Sequence, residues 1–312
     1  MLLIISEDKD YCTDEVISWL ILNKEPFIRY NSSNEYVKQI DFKISNRITD
    51  VKIKKRITKV WHRRGRLKLL PPANFTSDSV FFYLKKEVDS VIKSIELFLK
   101  KDVEYIGSFI KEIENYKLTQ LEYAKECGLI IPDTLITTSK ESLIKFLSGF
   151  EKCITKDIRY PVSINVNNEK FISTGVKVVT KKMIDKLDSF FAPIYVQKCI
   201  EKKYEIRLFF IKSKFYPMAI FSQSNKKTEI DFRNYDDNKQ NRCVPVKVPQ
   251  NVLLKIKKFI NKMDINTGSI DLIYSSSNEY VFLEVNPQGQ FGWLSKNCNY
   301  YIEKYIAKSL KT

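Results

Sequence analysis

The stretch SIDLIYSSSNEYVFLEVNPQGQFGW, residues Ser269 to Trp293, holds two short apolar runs around a Ser/Asn turn, each with a carboxylate among its hydrophobic residues. The two runs read as the strands of a hairpin. Side chains two apart on a strand share a face, so Glu284 and Asn286 point the same way. With a loop from Ser276 to Glu279, Ser275 pairs with Tyr280 and Asp271 falls directly opposite Glu284. Three oxygen donors then converge. Two carboxylates about 5 Å apart repel strongly in an apolar setting unless a cation sits between them, and Ile270, Leu272, Val281, Phe282, Leu283 and Val285 make the setting apolar. Hard oxygen donors without His or Cys select magnesium or manganese, and magnesium keeps room for phosphate oxygens. An exposed hairpin face with its acids turned outward has the same spacing. Pro287 ends the ladder, and Gly289 and Gly292 let the backbone pass close to a neighbour.

A chain of 312 residues, 44% of them hydrophobic, is long enough for two or three lobes, each with a core. No run approaches the roughly 18 to 20 apolar residues of a membrane span, and MLLIISEDKD turns acidic before a signal-peptide core of about 7 to 15 residues is complete. A soluble cytoplasmic protein is expected. Cys12, Cys127, Cys153, Cys199, Cys243 and Cys298 are scattered with no C-x-x-C pair, which points to reduced thiols rather than disulfides or a zinc site. His62 is the only histidine, so a multi-histidine metal site is excluded and a Ser-His-Asp triad would have to use it. The net charge of +16 attracts anionic partners, although much of it is Lys spread over helical faces and reads equally as solvated surface.

Outward from the hairpin, MLLIIS predicts a strand, YCTDEVISWLILNKE a helix, PFIRYN, DFKISN and ITKVWHRRG strands, and Val80 to Lys101 an amphipathic helix. This is an α/β lobe of about the first 110 residues. No G-x-G-x-x-G follows its first strand, so a dinucleotide site has no support there. A second lobe begins at Glu112, with the helix LTQLEYAKECG closed by Gly128, a helix over LITTSKESLIKFLSGF, a strand in EKCITKDI and a helix over TKKMIDKLDSFF. The strands IYVQKCIE, YEIRLFFI and FYPMAIFSQ follow. NKKTEIDFRNYDDNKQNRCVPVK is a long polar loop of the kind that is usually functional or disordered. The helices PQNVLLKIKKFINKMD and CNYYIEKYIAKSLK flank the hairpin.

Asp271-Leu272-Ile273 followed by Glu284-Val285-Asn286-Pro287 resembles the metal-binding end of the ATP-grasp superfamily, ligases that activate a carboxylate as an acyl phosphate. YVQKCIEKKYEIRLFFI resembles the hinge strand of that superfamily and the strand after it. The resemblance implies that Gln197 and Lys198 meet the adenine amino edge, Ile200 gives a backbone contact, Glu205 holds the ribose hydroxyls and Arg207 touches phosphate. Lys156 in CITKDI resembles the family lysine that reaches the α-phosphate. Between Lys156 and Lys177 the usual glycine-rich flap is replaced by RYPVSINVNNEKFISTG, so Asp231 and Arg233 of DFR, with Arg242, are candidates to supply what the flap lacks. Arg233 is the first choice.

Within the superfamily the chain is similar to the graspetide (omega-ester peptide) synthetases, especially the grasp-with-spasm branch, through LLIISEDKDYCTDEVISWL, VWHRRG, IDFRNYD and LEVNPQGQFGWL. That similarity implies an α/β (α+β) ATP-grasp fold with an N-terminal pre-ATP-grasp lobe (1–111), a small central subdomain (112–198) and a C-terminal subdomain carrying the metal site (199–312). It also implies ATP, two magnesium ions (manganese being the alternative) on Asp271, Glu284 and Asn286, and Lys156, Arg207 and Arg233 as the catalytic cations. The expected substrate is a ribosomal precursor peptide with a leader, whose Asp or Glu side chains are joined to Thr or Ser hydroxyls or Lys amines. Arg63 and Arg64 are candidates to contact its acids or its leader, or else solvated arginines at a strand end. A homo-oligomer, a dimer or higher, is expected. A RimK-like ligase adding amino acids to a protein or peptide shares every ATP residue. A basic nucleic-acid-binding protein on an inactive scaffold is the rival of a different class, and the intact acid set argues against it.

Overall fold

The computed structural model describes the chain except residues 36, 38–40, 45–48, 53–56, 69–77, 160–162, 167–168, 173–174, 235, 237 and 312. The first part runs β1 (Leu2–Ser6), α1 (Tyr11–Leu22), β2 (Phe27–Asn31), β3 (Asp41–Ile44), β4 (Thr49–Lys52), β5 (Lys59–His62), α2 (Asp78–Asp102), β6 (Glu104–Ile106) and α3 (Phe109–Ile113). Every residue of β1 is buried, as expected for a central strand of a parallel sheet covered on both faces. That sheet has the order β2-β1-β5-β6, all parallel. Asp10 caps α1 by accepting from the Cys12 and Thr13 N–H groups, and Cys12, Val16 and Leu20 form the buried stripe of the helix. After β6 the chain turns at Gly107, whose φ is +82° and whose missing Cβ would lie 2.0 Å from the His62 carbonyl oxygen. Only glycine fits there.

The middle part comprises α4 (Lys117–Glu126), β7 (Thr134–Ser139), α5 (Lys140–Leu147), β8 (Cys153–Lys156), β9 (Ser163–Val166), β10 (Glu169–Ile172), β11 (Lys177–Val178), α6 (Lys181–Asp185) and β12 (Phe190–Lys198). Its sheet has the order β11-β8-β12-β7, and β9 with β10 forms a separate hairpin. Leu143, Cys153 and Val196, with Phe146, Phe150, Ile184 and Ile194, make its core.

The last part comprises β13 (Lys202–Ile211), β14 (Lys214–Phe221), β15 (Arg242–Pro245), α7 (Gln250–Lys262), β16 (Thr267–Ser275), β17 (Tyr280–Asn286), α8 (Gly292–Cys298) and α9 (Ile302–Ser309). Its antiparallel sheet has the order β15-β14-β13-β16-β17. Strand alternation assigns the two faces. Ile206, Leu208, Phe210, Ile270, Leu272, Phe282 and Val285 pack with Ile256 and Phe259 of α7 and with Leu121 of α4. Phe209, Ile211, Met218 and Ile220 pack instead with Leu2, Ile4 and Trp61 of the parallel sheet and with Ile302 and Ile306 of α9. Glu205, Arg207 and Asp271 alternate onto this second side, beyond the reach of the apolar core.

Several sequence expectations are corrected. LITTS is strand β7, not the start of a helix, because Thr134 to Ser139 pair with Gln197 to Phe190 of β12, and Ser139 caps a shorter α5. The helix expected over TKKMIDKLDSFF is confined to Lys181–Asp185, since Phe190 and Phe191 already belong to β12. β15 and α8 were not anticipated. Both are short and packed in tertiary context, β15 against β14 and α8 into the core shared with α9. No helix among the described residues is long and apolar enough to cross a membrane.

Candidate functional site

The hairpin reaches the expected pairing by a different route. Tyr274, not Ser275, stands opposite Tyr280; Ile273 pairs with Val281 and Leu272 with Phe282; then a bulge intervenes, and Asp271 pairs with Glu284. The bulge leaves Leu283 unpaired and turns Glu284 to the face opposite Phe282, the side on which Asp271 lies. Without it Phe282 and Glu284 would share a face, and the acid would enter the apolar core.

The pair lines a cavity of about 830 Å³ between the middle sheet and the last sheet, within the range of small-molecule sites. Lys156, Gln197, Lys198, Ile200, Glu205, Asp231 and Arg233 line it as well. Cations surround the acids. Arg207 Nη1 lies 2.8 Å from both Asp271 oxygens; Lys156 Nζ is 3.5 Å from Glu284 Oε2; Arg233 Nη1 is 3.7 Å from Glu284 Oε1. Arg233 is held in turn by Asp231, which accepts from its Nε at 2.8 Å and its Nη2 at 2.9 Å. Burial works to raise the Glu284 carboxyl, but Lys156, Lys117, Arg233 and Arg207 outweigh it and hold Glu284 below the usual value. Asp271 is held above the usual value by burial and by the Glu284 charge, against the pull of Arg207. Like charges side by side push their titrations apart, and a cation between the two carboxylates would relieve the repulsion.

Comparison by sequence with family models and with curated proteins finds no match. Solved structures do match. The Chryseobacterium gregarium RiPP-associated ATP-grasp ligase, solved with ADP and a leader and core peptide, superposes with a TM-score of 0.80 at 24% identity, over 99% of this chain and 94% of that one. The macrocyclase MdnC from Microcystis aeruginosa MRC, bound with the precursor peptide MdnA, gives 0.78 at 25% identity over 99% of each chain. The ATP-grasp ligase PsnB, complexed with a minimal precursor, Mg and ADP, gives 0.72 at 14% identity, over 99% of this chain and 96% of that one. The chain has the ATP-grasp fold.

In this fold the two sheets are the jaws, and the remaining wall residues present polar groups to the cavity. Gln197 Nε2 donates to Thr134 Oγ1 at 2.8 Å and to the Tyr195 hydroxyl at 2.6 Å. Both donor hydrogens are thereby committed, and its Oε1 is the group left to accept from an exocyclic amine. Glu205 bonds Lys202 through one oxygen, and the Ser222 hydroxyl also hydrogen-bonds this carboxyl. Burial holds this carboxyl above the usual value, and it lines the cavity, where a carboxylate oxygen has capacity to accept from a ligand hydroxyl. Lys198 lies over the Phe150 ring, 5.4 Å from its centroid.

Other expected residues lie elsewhere. Arg207 does not line the cavity; it supports Asp271 from the neighbouring strand. Asn286 is exposed, and its Oδ1 accepts from the Gln288 N–H at 3.1 Å. Among the described residues no group of three His, Cys, Asp and Glu side chains gathers, so the donor set is two carboxylates with an amide on their face. Arg242 stacks on Phe221 at 5.4 Å, off the cavity. Arg63 is buried, donating to the Gln288 carbonyl at 2.8 Å and to Gln290 Oε1 at 2.9 Å. It rivets the parallel sheet to the loop after β17. Arg64 is half exposed, with its Nε 4.0 Å from Glu7.

Sequence reasoning missed Lys117. Its Nζ donates to the Asp157 carbonyl at 2.6 Å, burial lowers its pKa, and its charge acts on Glu284. A lysine at the start of a helix carries no sequence signal of this. The flap region is described in part. Gly175 approaches Asp231, its absent Cβ falling 3.6 Å from Asp231 Oδ2, whereas residues 160–162, 167–168 and 173–174 lie outside the described residues.

Proposed function

We propose that the protein is an ATP-dependent peptide macrocyclase, a graspetide synthetase. It would activate Asp or Glu side chains of a ribosomal precursor peptide and join them to Thr or Ser hydroxyls or Lys amines of the same peptide. The single observation that carries this reading is the Asp271–Glu284 pair at the wall of a nucleotide-sized cavity, flanked by Lys156 and Arg233. The likeness to MdnC, over 99% of both chains, supports the peptide substrate.

The residues fit a magnesium nucleotide. Asp271, Glu284 and Asn286 offer hard oxygen ligands for one or two magnesium ions, and bound magnesium neutralises charge on the terminal phosphates. Gln197, Lys198 and Ile200 would hold the adenine and Glu205 the ribose, while Lys156, Arg233 and Lys117 balance phosphate charge. Phosphoryl transfer asks little covalent chemistry of a protein; alignment and charge stabilisation suffice. A substrate carboxylate oxygen attacks the γ-phosphorus, the bond to the β–γ bridging oxygen breaks, and ADP leaves. The acceptor hydroxyl or amine then attacks the acyl carbon, phosphate departs, and the acceptor proton is released. No enzyme nucleophile is required. The working parts divide as a pre-ATP-grasp lobe over 1–111, a small subdomain over 112–198 and a C-terminal subdomain over 199–312. A surface of +16 net charge favours an acidic peptide.

Mass spectrometry of a precursor incubated with enzyme, ATP and magnesium tests this. Each link removes one water and adds no residue, which separates macrocyclisation from addition of free amino acids by a RimK-like ligase. Asp271→Asn and Glu284→Gln should abolish the water loss while precursor binding stays measurable; full turnover in either variant refutes the metal assignment.

A further inference from the structure

We infer that Gln120 and Asn115 are positioning residues for the magnesium site, acting through the backbone of Val285; the inference rests on the magnesium-nucleotide reading above. β17 is the edge strand of its sheet, and among the described residues its outer backbone groups meet only an isolated bridge from Ile130 to Val281 rather than a strand. Val285 stands between Glu284 and Asn286, and both of its outer groups are taken by side-chain amides. The Val285 N–H donates to Gln120 Oε1 at 2.7 Å, and the Val285 carbonyl accepts from Asn115 Nδ2 at 2.9 Å. The two amides are locked to each other, Gln120 Nε2 donating to Asn115 Oδ1 at 2.6 Å. Together they replace one missing strand partner.

The bulge makes this brace necessary. The backbone N–H groups of Phe282 and Val285, on either side of it, both point to the outer edge while their side chains enter the core, and the Phe282 N–H is met by the Ile130 carbonyl at 2.8 Å. A bulged edge strand is free to slip or untwist unless its outer groups are held, and a slip by one residue would send Glu284 to the core face. Gln120 is 2% exposed, so the bond to Val285 forms away from water, where losing it is costly. The same short segment also fixes the opposing jaw. Lys117, between the two amides in sequence, donates to the carbonyl of Asp157, the residue after Lys156. Residues 115–120 thus hold both sides of the Lys156–Glu284 contact. Groups that orient a metal ligand without touching the metal typically change affinity or activity by about 10- to 100-fold when removed.

The experiment is calorimetry of ADP binding to the full chain, with and without magnesium, for the parent, Gln120→Leu, Gln120→Glu and Asn115→Ala. Gln120→Leu keeps the volume and loses the acceptor; Gln120→Glu keeps an acceptor for the Val285 N–H. The expected result is that Gln120→Leu weakens magnesium-dependent ADP binding by about tenfold or more, leaves magnesium-free ADP binding unchanged, and that Gln120→Glu restores much of the difference. Asn115→Ala, at a half-buried position, should show the same selective loss and carries the test if Gln120→Leu does not fold. Parent-like magnesium dependence in a folded Gln120→Leu or Asn115→Ala overturns the inference. If the parent itself shows no magnesium-dependent uptake, the magnesium-nucleotide reading fails first, and the two failures are told apart.

Discussion

Arg207 and Asp271 face each other across the β13–β16 ladder, with one guanidinium nitrogen 2.8 Å from each carboxylate oxygen. The pair is largely buried, at 11% and 14% side-chain exposure. It gives Asp271 a permanent counter-charge, so the acid is tolerated at the cavity wall before any cation arrives. On the magnesium-nucleotide reading proposed above, Arg207 preorganises Asp271 from the side away from the cavity.

Arg207→Met should therefore destabilise the free protein by about 3–5 kcal/mol, since it strands a buried carboxylate. Saturating magnesium and ADP should shrink the deficit, because the ligand restores the counter-charge. Thermal melts with and without the ligand pair check this; a deficit of equal size in both conditions removes the preorganisation role.

Asp231 holds Arg233 against Glu284 through two side-chain hydrogen bonds. Asp231→Asn retains one acceptor and loses the fork geometry. Turnover should fall by about tenfold or more, with ADP affinity little changed, as turnover assays beside calorimetry would show. Equal losses in both would mean that the pair contributes to binding alone.

Glu112 on α3 has its pKa raised to about 7, chiefly by burial and also by Glu7, against the pull of Arg64 and Arg63. Its folded value lies above the unfolded value of 4.5, so between the two the unfolded chain releases its proton first. Stability from this group is complete below the unfolded value and declines as pH rises towards 7, by roughly 3 kcal/mol at most. Glu112→Gln lacks this decline. Its urea midpoint relative to the parent should be higher at pH 8 than at pH 4.5, and a gap independent of pH would contradict the assignment.

Gly107 tests the junction of the lobes. Its N–H donates to Asn266 Oδ1 at 2.9 Å, and its left-handed backbone lies against the His62 carbonyl. Gly107→Ala must move that carbonyl out of a 2.0 Å overlap and should cost more than about 4 kcal/mol. A melting temperature within a few degrees of the parent's would show that the turn relaxes freely.

The candidate site was legible wherever local spacing sets it. Asp271 and Glu284 follow from the spacing of the hairpin, whereas Gln197, Glu205, Lys156 and Arg233 follow from the resemblance of their segments to ATP-grasp motifs, and all line one cavity. Arg63, a candidate substrate contact, and Arg242, a candidate for the missing flap, lie off the cavity, because nothing in VWHRRG or NRCVP tells a buried interlobe rivet or an aromatic stack from a free guanidinium. Lys117, Asn115 and Gln120 were invisible for a similar reason: their partners lie at Asp157 and Val285, far along the chain.

By itself the sequence determined that two apolar strands, each carrying an acid, would form a hairpin, because strand alternation and turn residues are local properties of the chain. Only the tertiary structure decided that the two acids stand opposite each other. The chain closes its turn one residue earlier, and Leu283 bulges out to bring Glu284 back across from Asp271. The reason is packing: Phe282 and Val285 must both enter the core with Phe259 and Leu121, and an unbulged strand would carry Glu284 into that core beside Phe282.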